Sequence, residues 1–286
     1  MSLAIKSALC ACLLSSVAFR PLPEGTRSKA LCLNRTGVSA ATAIRIAQAS
    51  DSRAAGELVV DVRHPGAKTS PMLYGLMTEE INHAYDGGLY GELIQNRAFK
   101  DDRAEPVHWS LANSGGAAAS ITLDRSQPLS KAIDTSLRIN VNIASPDHPA
   151  AVANDGFWGI PLRQNTRYKA ALYARCSQGY SGGLTVSLQS SSLQRSFASA
   201  RTARLTDEWK RYTFNLTTGR LDSSSTNRFV IAADHPGTVW ITLVSLFPPT
   251  YHNRVNGNRP DIMRLLAAMQ PAFLRLPGGN YLEGNS

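Results

Sequence analysis

The sequence predicts a mixed fold in which an antiparallel β-sandwich is inserted into the start of an α/β layer. Three observations carry that expectation. Between about residues 100 and 247, short alternating runs recur between Ser, Gly, Asn and Asp clusters, as they do in a sandwich. On either side of this stretch the texture changes to a strand-like and a helix-like segment each. Finally, 43% of the 286 residues are hydrophobic and only 18% are charged. That is enough apolar material for one large domain or two ordinary ones, and it excludes disorder over the whole chain.

The chain opens with Lys6 ahead of the uncharged, mostly apolar run Ser7–Phe19. This fits the charged and apolar regions of a signal peptide and is too short for a bilayer span, which takes roughly 20 residues. No A-x-A triplet precedes Arg20. Residues 1–19 are read as a signal peptide and 20–56 as a leader or disordered tail, with a disordered cytosolic extension as the alternative. The segment 57–99 holds the first strand and helix of the α/β layer. Leu58–Arg63 (LVVDVR) is β-branched and ends at His64-Pro65-Gly66, and Met72–Glu79 is a second strand candidate. After Gly87-Gly88, apolar residues at 89, 90, 93 and 94 predict a short helix over Leu89–Asn96.

Residues 100–247 make the sandwich. Its strands are expected at Ser120–Leu123, Leu137–Val141, Tyr168–Ala174, Leu184–Leu188, Lys210–Leu216, Arg228–Ala232 and Thr238–Leu246. Tyr168, Ala170, Leu172 and Ala174 share one face, opposite Lys169, Ala171, Tyr173 and Arg175. Residues 248–286 return to the α/β layer. Pro260 suits a first helical position, Asp261 lies in the first turn, and Ile262, Leu265, Leu266 and Met269 follow at helical spacing. Pro271 stops the helix, Ala272–Leu276 is a strand, and Pro277-Gly278-Gly279-Asn280 is a tight loop. Strand–helix units on both sides of an insertion imply an α/β barrel or an open parallel sheet, here only begun. Because Ser286 follows directly on a strand-end loop, the chain is expected to be a fragment.

The net charge is +9, yet the Arg residues are scattered and no run of five or six basic residues occurs, so no nucleic-acid partner is expected. Cys10 and Cys12 lie in the expected signal peptide, which leaves Cys32 and Cys176 and no disulfide framework. The six histidines are far apart and form no ligand spacing, so no metal is expected. Sequons begin at Asn34 and Asn215.

Candidate functional residues sit at the ends of the two outer strands. Glu79-Glu80 ends the first and runs on to Asn82-His83. Paired acids there bind a ligand or are ordinary solvated carboxylates. In the second, Arg275 interrupts an apolar strand and wants an anion or carboxylate partner, unless it snorkels. The glycines of the following loop allow close backbone approach, and Asn280 offers donors and an acceptor.

Tyr74–Phe99 (YGLMTEEINHAYDGGLYGELIQNRAF) resembles the first barrel segment of the α-L-arabinofuranosidases of glycoside hydrolase family 51. Leu246–Gly284, through NGNRPDIMRLLAAMQPAFLRLPGGNYLEG, resembles the segment that follows their inserted domain. Between them, Trp109-Ser110, Gly156-Phe157-Trp158-Gly159 and Trp240 match the family's carbohydrate-binding-like sandwich. The resemblance covers about residues 58–286. It implies a jelly-roll sandwich inserted into the start of a truncated (β/α)8 barrel, in a secreted (extracellular or periplasmic), cofactor-free retaining hydrolase. That enzyme would remove terminal α-L-arabinofuranosyl groups from arabinoxylan, arabinan and arabino-oligosaccharides. Its partner is arabinose-containing polysaccharide or oligosaccharide, with no membrane after signal removal and with homo-oligomerisation of the full-length enzyme left open. Retention takes two carboxyl groups roughly 5–5.5 Å apart. In the family both are glutamates on later barrel strands, the acid/base preceded by Asn. This chain has no Asn-Glu dipeptide. The resemblance therefore implies a fragment without catalytic residues, whose acid/base and nucleophile glutamates lie beyond Ser286, and Glu283 is not assigned to either role. By position, Glu79, Arg275 and Asn280 match the family's substrate-binding residues. The rival expectation is a non-catalytic carbohydrate-binding protein, with Trp109, Trp158 or Trp209 as a stacking platform. A third is a structural spacer. For those indoles core packing is the favoured role.

Overall fold

The structure, a computed structural model, describes residues 59–222 and 224–276. The chain divides into two units, residues 1–68 and 69–286. In the first, residues 59–68 form turns rather than the expected strand over Leu58–Arg63, whose first residue lies outside the described residues. The Asp61 carboxylate explains the difference. It accepts the Arg63 N–H at 2.9 Å and contacts His64 Nδ1 at 2.7 Å, a local turn that competes with strand pairing.

The second unit is a two-layer sandwich with a small parallel ladder beside it. The ladder pairs β1 (Leu76–Met77) with β13 (Leu274–Arg275), Leu76 opposite Leu274 and Met77 opposite Arg275. Backbone bonds extend it. Leu76 N–H donates to the Phe273 carbonyl at 3.0 Å, Thr78 N–H to that of Arg275 at 3.1 Å, and Ala272 N–H to that of Tyr74 at 2.8 Å. Both strands are shorter than expected. Pro71–Leu73 forms a 3-10 turn capped by the Ser70 hydroxyl, and Pro271-Ala272 precedes β13. Helix α1 (Pro260–Ala268) begins with Pro260 as the sequence predicts and ends before Gln270, whose φ is +50°.

The helix expected over Leu89–Asn96 does not form. A wide turn over Tyr85–Leu89 leads into extended chain whose donors go to distant partners. Gly91 N–H donates to the Gly257 carbonyl at 3.1 Å and Leu93 N–H to that of Leu246 at 3.0 Å. Helix-like apolar spacing here seats Ile94 and Leu93 against the sandwich core rather than marking a helical face.

The sandwich strands are β2 (Trp109–Leu111), β3 (Ala118–Asp124), β4 (Ser136–Ile143), β5 (Ala150–Asn154), β6 (Ile160–Leu162), β7 (Arg167–Cys176), β8 (Leu184–Ser190), β9 (Ser196–Arg201), β10 (Lys210–Thr217), β11 (Ser224–Ala233) and β12 (Gly237–Phe247). One sheet runs β10-β7-β12-β4-β3; the other runs β2-β5-β11-β8-β9, with β6 also paired to β11. Alternation drives the packing. In β7, Tyr168, Ala170, Leu172 and Ala174 are buried while the residues between them are half-buried or exposed. These side chains join Leu137, Ile139, Val186, Leu188, Phe229 and Ile241 in one core between the sheets.

Candidate functional site

The β1–β13 ladder brings together the two strand ends singled out in the sequence. Met77 and Arg275 are level in the register, and Glu79 follows two residues after Met77. The Thr78 N–H still bonds the Arg275 carbonyl, so Glu79 comes directly after the last residue tied to β13. Glu79 is half-buried and Glu80 exposed. The pair therefore splits into different tasks. Glu80 Oε2 accepts the Tyr85 N–H at 2.7 Å and holds the turn after β1, whereas among the described residues no such backbone bond engages Glu79.

Of the two roles the sequence left open for Arg275, the structure shows the solvent-exposed one. Its Nη2 lies 2.9 Å from Met77 Sδ. Among the described residues, the ion pairs include none between Arg275 and Glu79. A two-stranded ladder leaves the side chain open to water, so the expected buried anion partner is not needed. The described residues stop at Leu276. Asn280 and Glu283 therefore lie outside them, as does Ser286, the residue beyond which the acid/base and nucleophile glutamates are expected.

The loop after β1 packs on the β5–β6 loop of the sandwich. His83 meets Phe157 and Trp158 edge-on, with ring centroids 5.5 and 5.4 Å apart. Gly87 has φ +83°, and a Cβ there would lie 2.5 Å from the Phe157 ring. Beside this contact is a cavity of about 400 Å³ whose lining includes Trp158, Glu92, Arg163, Arg259 and Asp261. Sequence reasoning missed the last four as site residues, because they are brought together from separate segments. Arg259 Nη2 bonds Asp261 Oδ2 at 2.6 Å, and this side-chain bond pulls the Asp261 carboxyl below its ordinary value.

Glu92 is the buried acid of this region, 3% exposed. Its Oε1 accepts N–H groups from Leu93, Ile94 and Leu246 at 3.0, 3.1 and 2.7 Å, and Oε2 is 3.7 Å from Arg97 Nε. Burial pushes its carboxyl up despite those donors. The three tryptophans considered as platforms separate clearly. Trp109 is core, its Nε1 donating to the Asn96 carbonyl at 3.2 Å. Trp209 is half-buried, and Trp158 is 69% exposed. Among the described residues no group of three or more His, Cys, Asp or Glu could hold a metal ion. No helix there is long and apolar enough to cross a membrane.

No family model matches the chain. It is 32% identical over 227 residues to probable alpha-L-arabinofuranosidase A of Aspergillus terreus (strain NIH 2624 / FGSC A1156), covering 77% of this chain and 35% of that protein. It is likewise 32% identical over 245 residues to alpha-L-arabinofuranosidase 1 of Arabidopsis thaliana, covering 82% and 35%. The arabinose-bound structure of MgGH51 α-L-arabinofuranosidase superposes with a TM-score of 0.68 at 36% identity, covering 78% of this chain and 37% of that one. The chain thus spans about a third of the length of the curated relatives it matches.

Proposed function

We infer, from a chain that belongs to glycoside hydrolase family 51, that the whole protein is a secreted α-L-arabinofuranosidase acting with retention on arabinoxylan, arabinan and arabino-oligosaccharides. The observation that supports the reading is the parallel β1–β13 ladder, which pairs Met77 with Arg275 two residues before Glu79. Strand ends of this kind build the active site of a β/α barrel. Here Glu79 accepts sugar hydroxyls, Arg275 donates to the same sugar, and Asn280 adds an amide from the loop that follows. A carboxylate, a guanidinium and an amide supply complementary acceptors and donors for a polyol.

The 286-residue chain is the binding half of this arrangement, because a retaining glycosidase needs two carboxyl groups flanking the scissile bond and none here is assigned to that work. The test uses the protein captured from its source with antibodies raised against this chain. It should release the chromophore from 4-nitrophenyl α-L-arabinofuranoside with retained configuration, while the 286-residue chain alone should not. A captured protein with no such turnover would defeat the reading. Turnover by the chain alone, lost on mutating one of its own residues, would defeat the division of labour.

A second reading, sugar binding by the sandwich without catalysis, is favoured by one feature. Trp158 keeps its indole 69% exposed on a loop flanked by Gly156 and Gly159 at φ +65° and +84°. An exposed aromatic face suits stacking on a sugar. Retention of wild-type chain, but not of Trp158→Ala, on insoluble arabinoxylan would support it.

A further inference from the structure

The cations that look scattered along the sequence are gathered by strand register onto one sheet. On the outer face of β10-β7-β12-β4-β3 lie Arg211 from β10, Arg167, Lys169 and Arg175 from β7, and Arg138 from β4. The acid among these five strands is Asp124, and it is occupied, with Oδ2 accepting the Trp240 Nε1–H at 2.9 Å and Oδ1 the Ser126 N–H at 2.6 Å. The face therefore carries five cations against one engaged carboxylate.

Trp240 organises the centre. It lies opposite Arg138 on one side and Arg175 on the other, and their guanidinium carbons sit 5.9 and 5.6 Å from its ring centroid. Further bonds fix both arginines. Arg138 Nε donates to Asn140 Oδ1 at 3.0 Å, and Arg175 Nη1 to Gln127 Oε1 at 2.6 Å. The indole is thus already engaged by guanidinium groups, and it serves less as a platform for a base or a neutral sugar than as a mount for two ordered cations. Toward the other end of β7 the face deepens into a groove of about 440 Å³, lined by Arg167, Lys169, Arg211 and Arg254 together with Asn215 and Asn256. Among the described residues no Asp or Glu lines it.

We propose that this sheet face is a binding surface for an anionic polysaccharide bearing uronate carboxylates. Arginine forks match a planar carboxylate in two bonds, and Asn215, Asn140 and Thr213 beside them suit sugar hydroxyls. Choosing a polysaccharide over a nucleic acid rests on the arabinofuranosidase reading and on the occupied indole. The surface would hold the protein on charged cell-wall polymer while the strand-end site works on neutral side groups.

The test is binding of the 286-residue chain, made without N-glycosylation because Asn215 begins a sequon on this face. Isothermal titration calorimetry compares polygalacturonate with its fully methyl-esterified form, which keeps the sugar backbone and removes the charge. Polygalacturonate should bind and the ester should not, and binding should weaken as salt screens the charges. Lys169→Gln/Arg211→Gln should lose affinity on the order of tenfold, while Arg195→Gln/Arg264→Gln, with the same change in net charge, should bind as wild type does. Equal losses in both double variants would reduce the effect to net charge and overturn the proposal. So would equal binding of the ester, absence of polygalacturonate binding, or tighter binding of single-stranded RNA of matched charge. None of these results depends on arabinofuranoside turnover, so this proposal and the catalytic reading fail separately.

Discussion

Glu92 gathers three backbone N–H groups onto one carboxylate oxygen and joins the chain leaving β1 to the end of β12. Removing that acceptor strands donors in a buried place, so Glu92→Ala should lower stability by about 3 kcal/mol, read by urea denaturation. Glu92→Gln keeps an acceptor oxygen and should lose less. The pH dependence has a definite sign. Burial holds the folded-state carboxyl above its ordinary value, so the folded protein binds this proton more tightly than the unfolded chain, where the group titrates near about 4.3. Its contribution is complete below that unfolded value and is lost as pH rises through the folded one. The stability of wild type relative to Glu92→Gln should therefore decline with rising pH over that window and then level off. A difference that grows with pH would show that the backbone donors outweigh burial. Little of this was legible in the sequence, because Glu92 reads as an ordinary acid until the fold wraps Leu246 around it. The pair Glu79-Glu80 was legible as a place, but the division between them needed the turn that Glu80 ties down.

Sandwich strands with period-2 alternation, such as β7 and β10, could be placed from sequence because each has one wet and one dry face. The strand β5 could not, since Ala150–Asn154 is buried throughout and shows no alternation. The segment over Leu89–Asn96 was misread for the complementary reason, because apolar spacing fits a helix while its donors are spent on Gly257 and Leu246. Glycines decide how closely this segment can approach the sandwich. Gly87 and Gly116 have nearly equal φ, +83° and +86°, but a Cβ on Gly87 would meet Phe157 at 2.5 Å whereas one on Gly116 has nothing within 4 Å. Both alanine variants bear the cost of a left-handed residue, about 1–2 kcal/mol. Gly87→Ala bears the clash as well and should melt clearly below Gly116→Ala. Equal melting temperatures would mean that the loop after β1 is not held against Phe157.

At the scale of the whole molecule the two layers differ in what they bury. The sandwich encloses a continuous core. The β1–β13 side leaves Met72, Leu73, Met77, Leu265, Leu274 and Leu276 between 54% and 75% exposed. A two-stranded ladder is marginal in water, and local openings are cheap where few apolar contacts resist them. Native-state hydrogen exchange on the 286-residue chain should therefore show two classes. The amides of Leu76 and Thr78, bonded to the carbonyls of Phe273 and Arg275, should exchange with little protection. Those pairing β7 with β12 and β10 should exchange only on global unfolding. The same asymmetry predicts binding of a hydrophobic dye on this side, because several large apolar side chains are exposed there. The sequence announces the asymmetry only in part: Phe273, Leu274 and Leu276 read as a buried barrel strand, and such a strand is buried only when sheet neighbours cover both of its faces. If Leu76 and Thr78 prove as protected as the centre of β7, the ladder is held by more than its own two strands. In that event the strand ends that carry Glu79 and Arg275 would be rigid in the 286-residue chain as it stands.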